Sequence, residues 1–351
     1  GTSASAREIL EVAGQQVTTM FAADPVRGGA VMHALAELYL YLGDYEAAAP
    51  LLRRVAEAPE TEPSVRASAR YDLAQYNLRT ADPGAAAVLL AQAQAFWEQD
   101  ANLWRRRLVD SRLVEARVLR DQGEIDAAIQ LLSASLPERI RLSGANHRET
   151  GVYHNDLGVL FNAAGRRDEA AASFRAALDI WRETSLGDSP DALNTLNNLA
   201  AIEVLSGRPA EAAVLFSRAV EVRRSLYGPS AATAALLNNY GKTLLKLDRG
   251  PEALPYLREA VDMAREHAGV GSLHYASAVA GLSEALSVVG DPSAALTTAT
   301  QGYEAVSGSV GLAHPATAIT AIALARVLVR DDRSRAAALL DQAETTLAPM
   351  G

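Results

Sequence analysis

The sequence predicts an all-α chain, a solenoid of about eight stacked helix–turn–helix units preceded by a leading helix. Two observations predict it. Alanine stands at positions 48, 86, 128, 170, 212, 253, 295 and 337, at spacings of 38, 42, 42, 42, 41, 42 and 42 residues. Around these alanines the text partly repeats: Asn155-Asp156-Leu157-Gly158 leads to Gly165 and Glu169-Ala170, Asn197-Asn198-Leu199-Ala200 to Gly207 and Glu211-Ala212, and Asn238-Asn239-Tyr240-Gly241 to Glu252-Ala253. Self-similarity at such a period marks an array of units, each too small to bury its apolar face alone. Arrays of this kind bind other macromolecules more often than they catalyse.

Composition narrows the reading. The 351 residues would suggest two or three ordinary domains, but a repeat grows by adding neighbours, so one elongated body is expected. A hydrophobic fraction of 49% with only 5% aromatics calls for a core of Ala, Leu and Val, suited to close helix packing rather than to a large cofactor. The net charge of −9, with both signs mixed throughout, argues against nucleic acid as a partner, because a basic face would be needed. No apolar run reaches the roughly 18 residues of a membrane span. The opening Gly1-Thr2-Ser3 reads as a cloning remnant and not as a signal peptide. With no cysteine, disulfides, thiolate catalysis and cysteine-ligated metal centres are excluded.

The elements follow in order. A leading helix is expected from about Ala4 to Phe21. Within a unit, residues 148–184 serve as the pattern. Val152, Leu157, Val159, Leu160 and Phe161 form one apolar stripe, ended by Gly165-Arg166-Arg167. A second stripe follows at steps of three and four, through Ala170, Phe174, Ala177, Leu178 and Trp181. Gly165 stands where a helix end demands a positive φ. Asp82-Pro83, Ser189-Pro190, Asp291-Pro292 and His314-Pro315 place a cap before a first-turn proline, so a helix begins at each. Aligning the small residue of each first helix gives Ala36, Ala74, Ala116, Gly158, Ala200, Gly241, Ser283 and Ala325, hence eight helix pairs. The last two copies lose the large residue of the second helix (Ala299, Asp341), and the alignment slips near Asp341. A final helix from about Ser334 to Leu347 is expected to cap the array. In domain terms, residues 1–26 form an N-terminal capping helix and 27–351 the array.

Leu157, Gly158, Phe161, Gly165, Ala170, Phe174 and Ala177, together with Leu35, Ala36, Tyr39, Gly43, Ala48 and Leu52, resemble the tetratricopeptide repeat (TPR) consensus over nearly the whole chain. That resemblance implies a right-handed superhelix. The usual repeat is 34 residues, and the period alone also allows HEAT or armadillo repeats. The small–glycine–alanine triplet at fixed offsets favours TPR. The extra residues, about four per helix, add roughly 6 Å to each at 1.5 Å per residue. The long period and the Asn-Asn-Leu wording are similar to kinesin light chains and to long-repeat bacterial TPR proteins.

Catalytic motifs do not emerge. Gly241-Lys242-Thr243 lacks the first glycine of a phosphate loop, since position 236 is Leu236. His147-Arg148-Glu149 lacks the aspartate of a kinase catalytic loop. The six histidines show no HExxH spacing, and His147 and His314 occupy the same turn before a first helix, a capping position. No metal, cofactor or enzyme activity is expected. In the TPR family first helices line the concave face. The resemblance therefore implies a peptide-binding groove containing Tyr71, Gln75 and Arg79; Arg117 and Arg120; Asn155 and Asn162; Asn194, Asn197 and Asn198; and Asn238, Asn239, Lys242 and Lys246. An asparagine amide offers donor and acceptor to an extended backbone, and Arg or Lys beside it pairs with a carboxylate. The alternative is that these asparagines bond across neighbouring repeats or solvate the inner face.

The expected function is a protein-interaction scaffold that takes an extended, acidic partner segment in this groove, with self-association through the solenoid ends as a further expectation. Two alternatives stand beside it. The stretch from Arg7-Glu8-Ile9-Leu10 through Met20-Phe21-Ala22-Ala23-Asp24-Pro25 to Leu38-Tyr39 and Gly43-Asp44-Tyr45-Glu46-Ala47 resembles the TPR regions that follow bacterial Ser/Thr kinase domains. The chain would then be a sensory segment on the periplasmic side, whereas a free-standing scaffold would be cytoplasmic. The third reading is the TPR module of a transcriptional regulator or peptide sensor.

Overall fold

In the computed structural model, which describes residues 6–348, every regular element is a helix. The readings of Gly1-Thr2-Ser3 and of a helix start at Ala4 lie outside the described residues. The chain divides between Arg166 and Arg167 into two compact units. The first holds α1 (Ala6–Ala23), α2 (Pro25–Tyr41), α3 (Tyr45–Glu57), α4 (Pro63–Arg79), α5 (Pro83–Trp97), α6 (Arg105–Asp121), α7 (Ile125–Ser143) and α8 (Arg148–Ala163). The second holds α9 (Arg167–Glu183), α10 (Pro190–Leu205), α11 (Pro209–Tyr227), α12 (Ala231–Leu245), α13 (Gly250–His267), α14 (Leu273–Val288), α15 (Pro292–Val310), α16 (Pro315–Leu328) and α17 (Arg333–Leu347). Within each unit consecutive helices pack against one another, and first helices also touch the first helices of neighbouring pairs, as α2 does α4 and α14 does α16. This is the stacked helix-pair solenoid expected from the repeat.

Local chemistry explains where the helices start and stop. The Asp82, Ser189 and Asp291 side chains accept from the backbone N–H groups of Ala85, Ala192 and Ala294 at 2.9, 3.2 and 3.0 Å. His147 and His314 cap as well, each Nδ1 accepting a backbone N–H two residues on, at 3.2 and 3.1 Å. Seven residues after the small residue of the first helix the backbone turns left-handed in the first seven repeats, and only at Asp332, in the last, is φ negative. Gly165 has φ of 75° there, and the same demand is met without glycine by Ala81 and Asp248, both at 58°. The turn geometry thus persists where its preferred residue does not.

The alanine ladder is buried from Ala48 to Ala295, each at 0% exposure. Its last rung differs from the expectation. Ala337 is exposed, and Ala336 (2% exposed) takes the buried place with Leu339 and Ala343 against Leu324 and Leu328. A one-residue step turns a side chain about 100° around a helix, so α17 is rotated to bury what apolar residues it has. In the second unit Gly241 shows why the first helix needs a small residue: a Cβ there would lie 2.5 Å from Leu257 Cγ on α13. At the other end, Val17 and Phe21 of α1 join Leu35 and Tyr39 of α2 in one core, and the Arg54 guanidinium lies 5.6 Å above the Phe21 ring.

Candidate functional site

Two grooves, one in each unit, collect half of the residues the sequence nominated. The first, of about 510 Å³, is lined by Gln75 and Arg79 from α4 and by Arg117 and Arg120 from α6, with Tyr45 and Tyr76 among its aromatic walls. Three aspartates that sequence reasoning passed over, Asp72, Asp121 and Asp156, face it too. The arginines are already engaged. Arg117 pairs with Asp156 at 2.7 Å, Arg120 with Asp121 at 2.7 Å, and the Arg79 guanidinium stacks 3.8 Å from the Tyr45 ring centroid. At Arg117 and Arg120 an incoming carboxylate would therefore have to exchange for a resident one.

Three residues nominated in this unit lie elsewhere. Tyr71 is a core residue, stacked edge-on against Trp97 at 5.7 Å with its hydroxyl directed to the Asp110 carbonyl at 3.5 Å; burial pushes its hydroxyl pKa well up. Asn155 is half-buried and donates to Asp156 Oδ1 at 3.3 Å. Asn162 is exposed at the end of α8. The groove-facing positions on α4 are 72, 75, 76, 78 and 79, so Asp72 and Tyr76 stand in the wall where Tyr71 was expected. A signal for it was present: Asp72 and Asp156 both stand two residues before the small residue of their repeat.

In the second unit, Asn194 and Asn197 of α10 converge with Asn239 of α12 on a groove of about 250 Å³, whose wall also includes Arg223 of α11 and His274 of α14. Asn198 is half-buried beside it and Lys246 is exposed at the end of α12. Asn238 does not belong to this surface. It is 5% exposed, its Oδ1 has no hydrogen-bond partner, and a Cβ on Gly281 would lie 2.6 Å from that oxygen. For Asn238 the packing between neighbouring repeats displaces the groove assignment. Lys242 lines a different pocket, of about 330 Å³, with Glu284, Arg326 and the apolar Ile319 and Ile322. Burial holds its ammonium below the usual lysine range, Glu284 opposing and Arg326 adding to the shift.

Among the described residues, no helix is long and apolar enough to cross a membrane.

Comparison with known proteins places these features in a family context. Tetratricopeptide repeat profiles match residues 31–66, 115–183 and 191–266. A Clustered mitochondria protein homolog from Coccidioides immitis is 26% identical over 210 residues, which is 59% of this chain and 16% of that protein. The chain thus spans about a sixth of the length of that curated relative. The fungal relatives matched in this way carry neither a kinase nor a regulator name. Among solved structures, a STAND signal-transduction ATPase with a tetratricopeptide repeat sensor from Pyrococcus horikoshii superposes with a TM-score of 0.70 at 16% identity, covering 99% of this chain and 54% of that one. TPR-like repeats of a chain named as a kinesin light chain from Podosopora anserina give 0.51 at 17% identity, covering 57% and 95%. At these identities the likeness is one of fold.

Proposed function

The chain belongs to the tetratricopeptide repeat family, and on that premise we propose that it is a non-catalytic scaffold that holds an extended, acidic segment of a partner protein against its first helices. The observation that carries this reading is the convergence of Asn194, Asn197 and Asn239 on one groove beside Arg223. Amides from two successive first helices present donors and acceptors at the spacing of a helix stack, which suits a peptide backbone with unpaired N–H and C=O groups. Arg223 supplies a cation at the edge of that row for an acidic side chain. In the other unit, Arg79, Arg117 and Arg120 line a groove without asparagines, where an acidic segment would have to displace Asp156 from Arg117 or Asp121 from Arg120.

The test begins by capturing a partner with the chain as bait and narrowing it to a segment. That segment is then titrated by calorimetry against wild type and Asn197→Ala/Asn239→Ala. Two lost hydrogen bonds at about 1 kcal/mol each predict roughly a thirtyfold weaker Kd. Asn239 is exposed and Asn197 half-buried at the groove wall, so the melting temperature should fall little. Unchanged affinity would remove the asparagine groove from the account.

A further inference from the structure

In the first unit, two of the junctions between neighbouring first helices use the same pair of positions: the residue just after the small residue of one repeat, and the residue two before the small residue of the next. Between α6 and α8 these are Arg117 and Asp156, an ion pair at 2.7 Å. Between α2 and α4 the corresponding residues are Glu37, directly after Ala36, and Asp72, two before Ala74. Where the later junction has a cation facing a carboxylate, the earlier one has two carboxylates. His33, four residues before Glu37 on α2 and so on the same helix face, completes the cluster, its Nε2 lying 2.8 Å from Asp72 Oδ2.

We propose that His33, Glu37 and Asp72 form a binding site for one divalent transition-metal ion of the zinc class. One ligand atom from each of the three lies within 4.8 Å of the others. A tetrahedral zinc site, with bonds of about 2.0–2.2 Å, places its ligand atoms roughly 3.3–3.5 Å apart. Shifts of well under an ångström by the His33 and Asp72 side chains, and a rotamer adjustment of the exposed Glu37, close that geometry. His33 and Asp72 are 8% and 9% exposed and anchor the site from two helices. Glu37 is exposed, leaving a fourth position for water. The other oxygen of Asp72 already accepts from Gln75 Nε2 at 3.4 Å, the outer-sphere contact that orients a ligating carboxylate.

Charge gives the independent argument. A carboxylate as buried as Asp72 is costly without a cation, and a second carboxylate beside it adds repulsion. Among the described residues no Lys or Arg forms an ion pair with Asp72 or Glu37, and His33 brings at most one positive charge to two negative ones. A divalent ion balances the cluster. One imidazole with two carboxylates suits zinc, which accepts mixed N and O ligands at low coordination number. Calcium and magnesium prefer more ligands, all oxygen.

The test uses the whole chain freed of metal by chelation, and it needs no partner protein. Titration with Co²⁺ should give the visible d–d bands of a tetrahedral site, saturating at one equivalent and erased by Zn²⁺, while Zn²⁺ raises the melting temperature. Glu37→Gln, at an exposed position, should fold normally and bind at least about tenfold more weakly. Glu37→Arg recreates the Arg117–Asp156 arrangement; it should abolish cobalt binding and raise the metal-free melting temperature. Absence of a saturable cobalt spectrum, equal binding by Glu37→Gln and Glu37→Arg, or equal competition by Mg²⁺ or Ca²⁺ would each overturn the site.

Discussion

Replacing Arg139 with methionine probes the most heavily buried charge in the first unit. The Arg139 side chain is 1% exposed on α7 and pairs with Asp110 on α6 and Glu149 on α8, tying three helices through one guanidinium. Its cation also lies 5.2 Å from the Tyr153 ring centroid, and Glu149 accepts in addition from the Ser143 hydroxyl at 2.9 Å. Methionine keeps most of the aliphatic volume, so the cost comes mainly from stranding the carboxylates. Breaking a fully buried ion pair in this way costs about 3–5 kcal/mol. The Asp110 and Glu149 side chains are 25% and 39% exposed, so water recovers part of the penalty and about 2–4 kcal/mol should remain. For a cooperative unit of this size that is a fall in melting temperature of about 4–16 °C.

The same perturbation has an acid signature. Burial by itself raises the Glu149 pKa, but the Ser143 hydrogen bond and the charges of Arg139, His147 and Arg106 outweigh it and hold the group below its ordinary value of 4.5. A depressed carboxylate stabilises the fold fully above the unfolded value and loses that contribution as pH falls through the folded one. Wild type should therefore lose stability on acidification below about pH 4.5, and Arg139→Met should lose less over that interval. Thermal melts followed by circular dichroism from neutral to acid pH measure both effects. Adding Asp110→Asn to Arg139→Met should cost less than the sum of the single changes. A melting temperature equal to wild type, together with an unchanged acid limb, would refute the reasoning.

Other expected outcomes follow from the packing. Gly241→Ala improves helix propensity by up to about 1 kcal/mol yet should destabilise by about 1–3 kcal/mol, because the new Cβ would lie 2.5 Å from Leu257 Cγ; urea unfolding of Gly241→Ala alone and with Leu257→Ala checks it, and a stabilised single variant contradicts the close approach of α12 and α13. In α17, Ala336→Glu should cost at least about 2 kcal/mol while Ala337→Glu stays within about 0.5 kcal/mol. Equal losses in chemical denaturation would show that the helix does not have the rotation described.

The helices were largely legible in the sequence because their signals are local. A capping side chain reaches its N–H group two or three residues on, and a left-handed turn falls at a fixed offset from the small residue. His147 and His314 could be assigned to caps on position alone, and the final helix, expected from Ser334, begins at Arg333. The candidate site was legible only in part. Gln75, Arg79, Arg117, Arg120, Asn194, Asn197 and Asn239 reach grooves, whereas Tyr71 and Asn238 pack inward. Helix rotation separates the two groups, and periodicity fixes that rotation only to within a residue.

What the sequence by itself determined is therefore the repeat: its period, its helix boundaries, its small-residue crossings and the family it belongs to. All of these are set by interactions between residues close along the chain, or by a pattern copied from one unit to the next. The tertiary structure decided which of two adjacent asparagines meets solvent. One residue along α12 is about 100° around it, enough to bury Asn238 against Gly281 and leave Asn239 in the groove. It also decided that His33, Glu37 and Asp72 stand together, because α2 and α4 approach only once α3 has folded back between them in the chain.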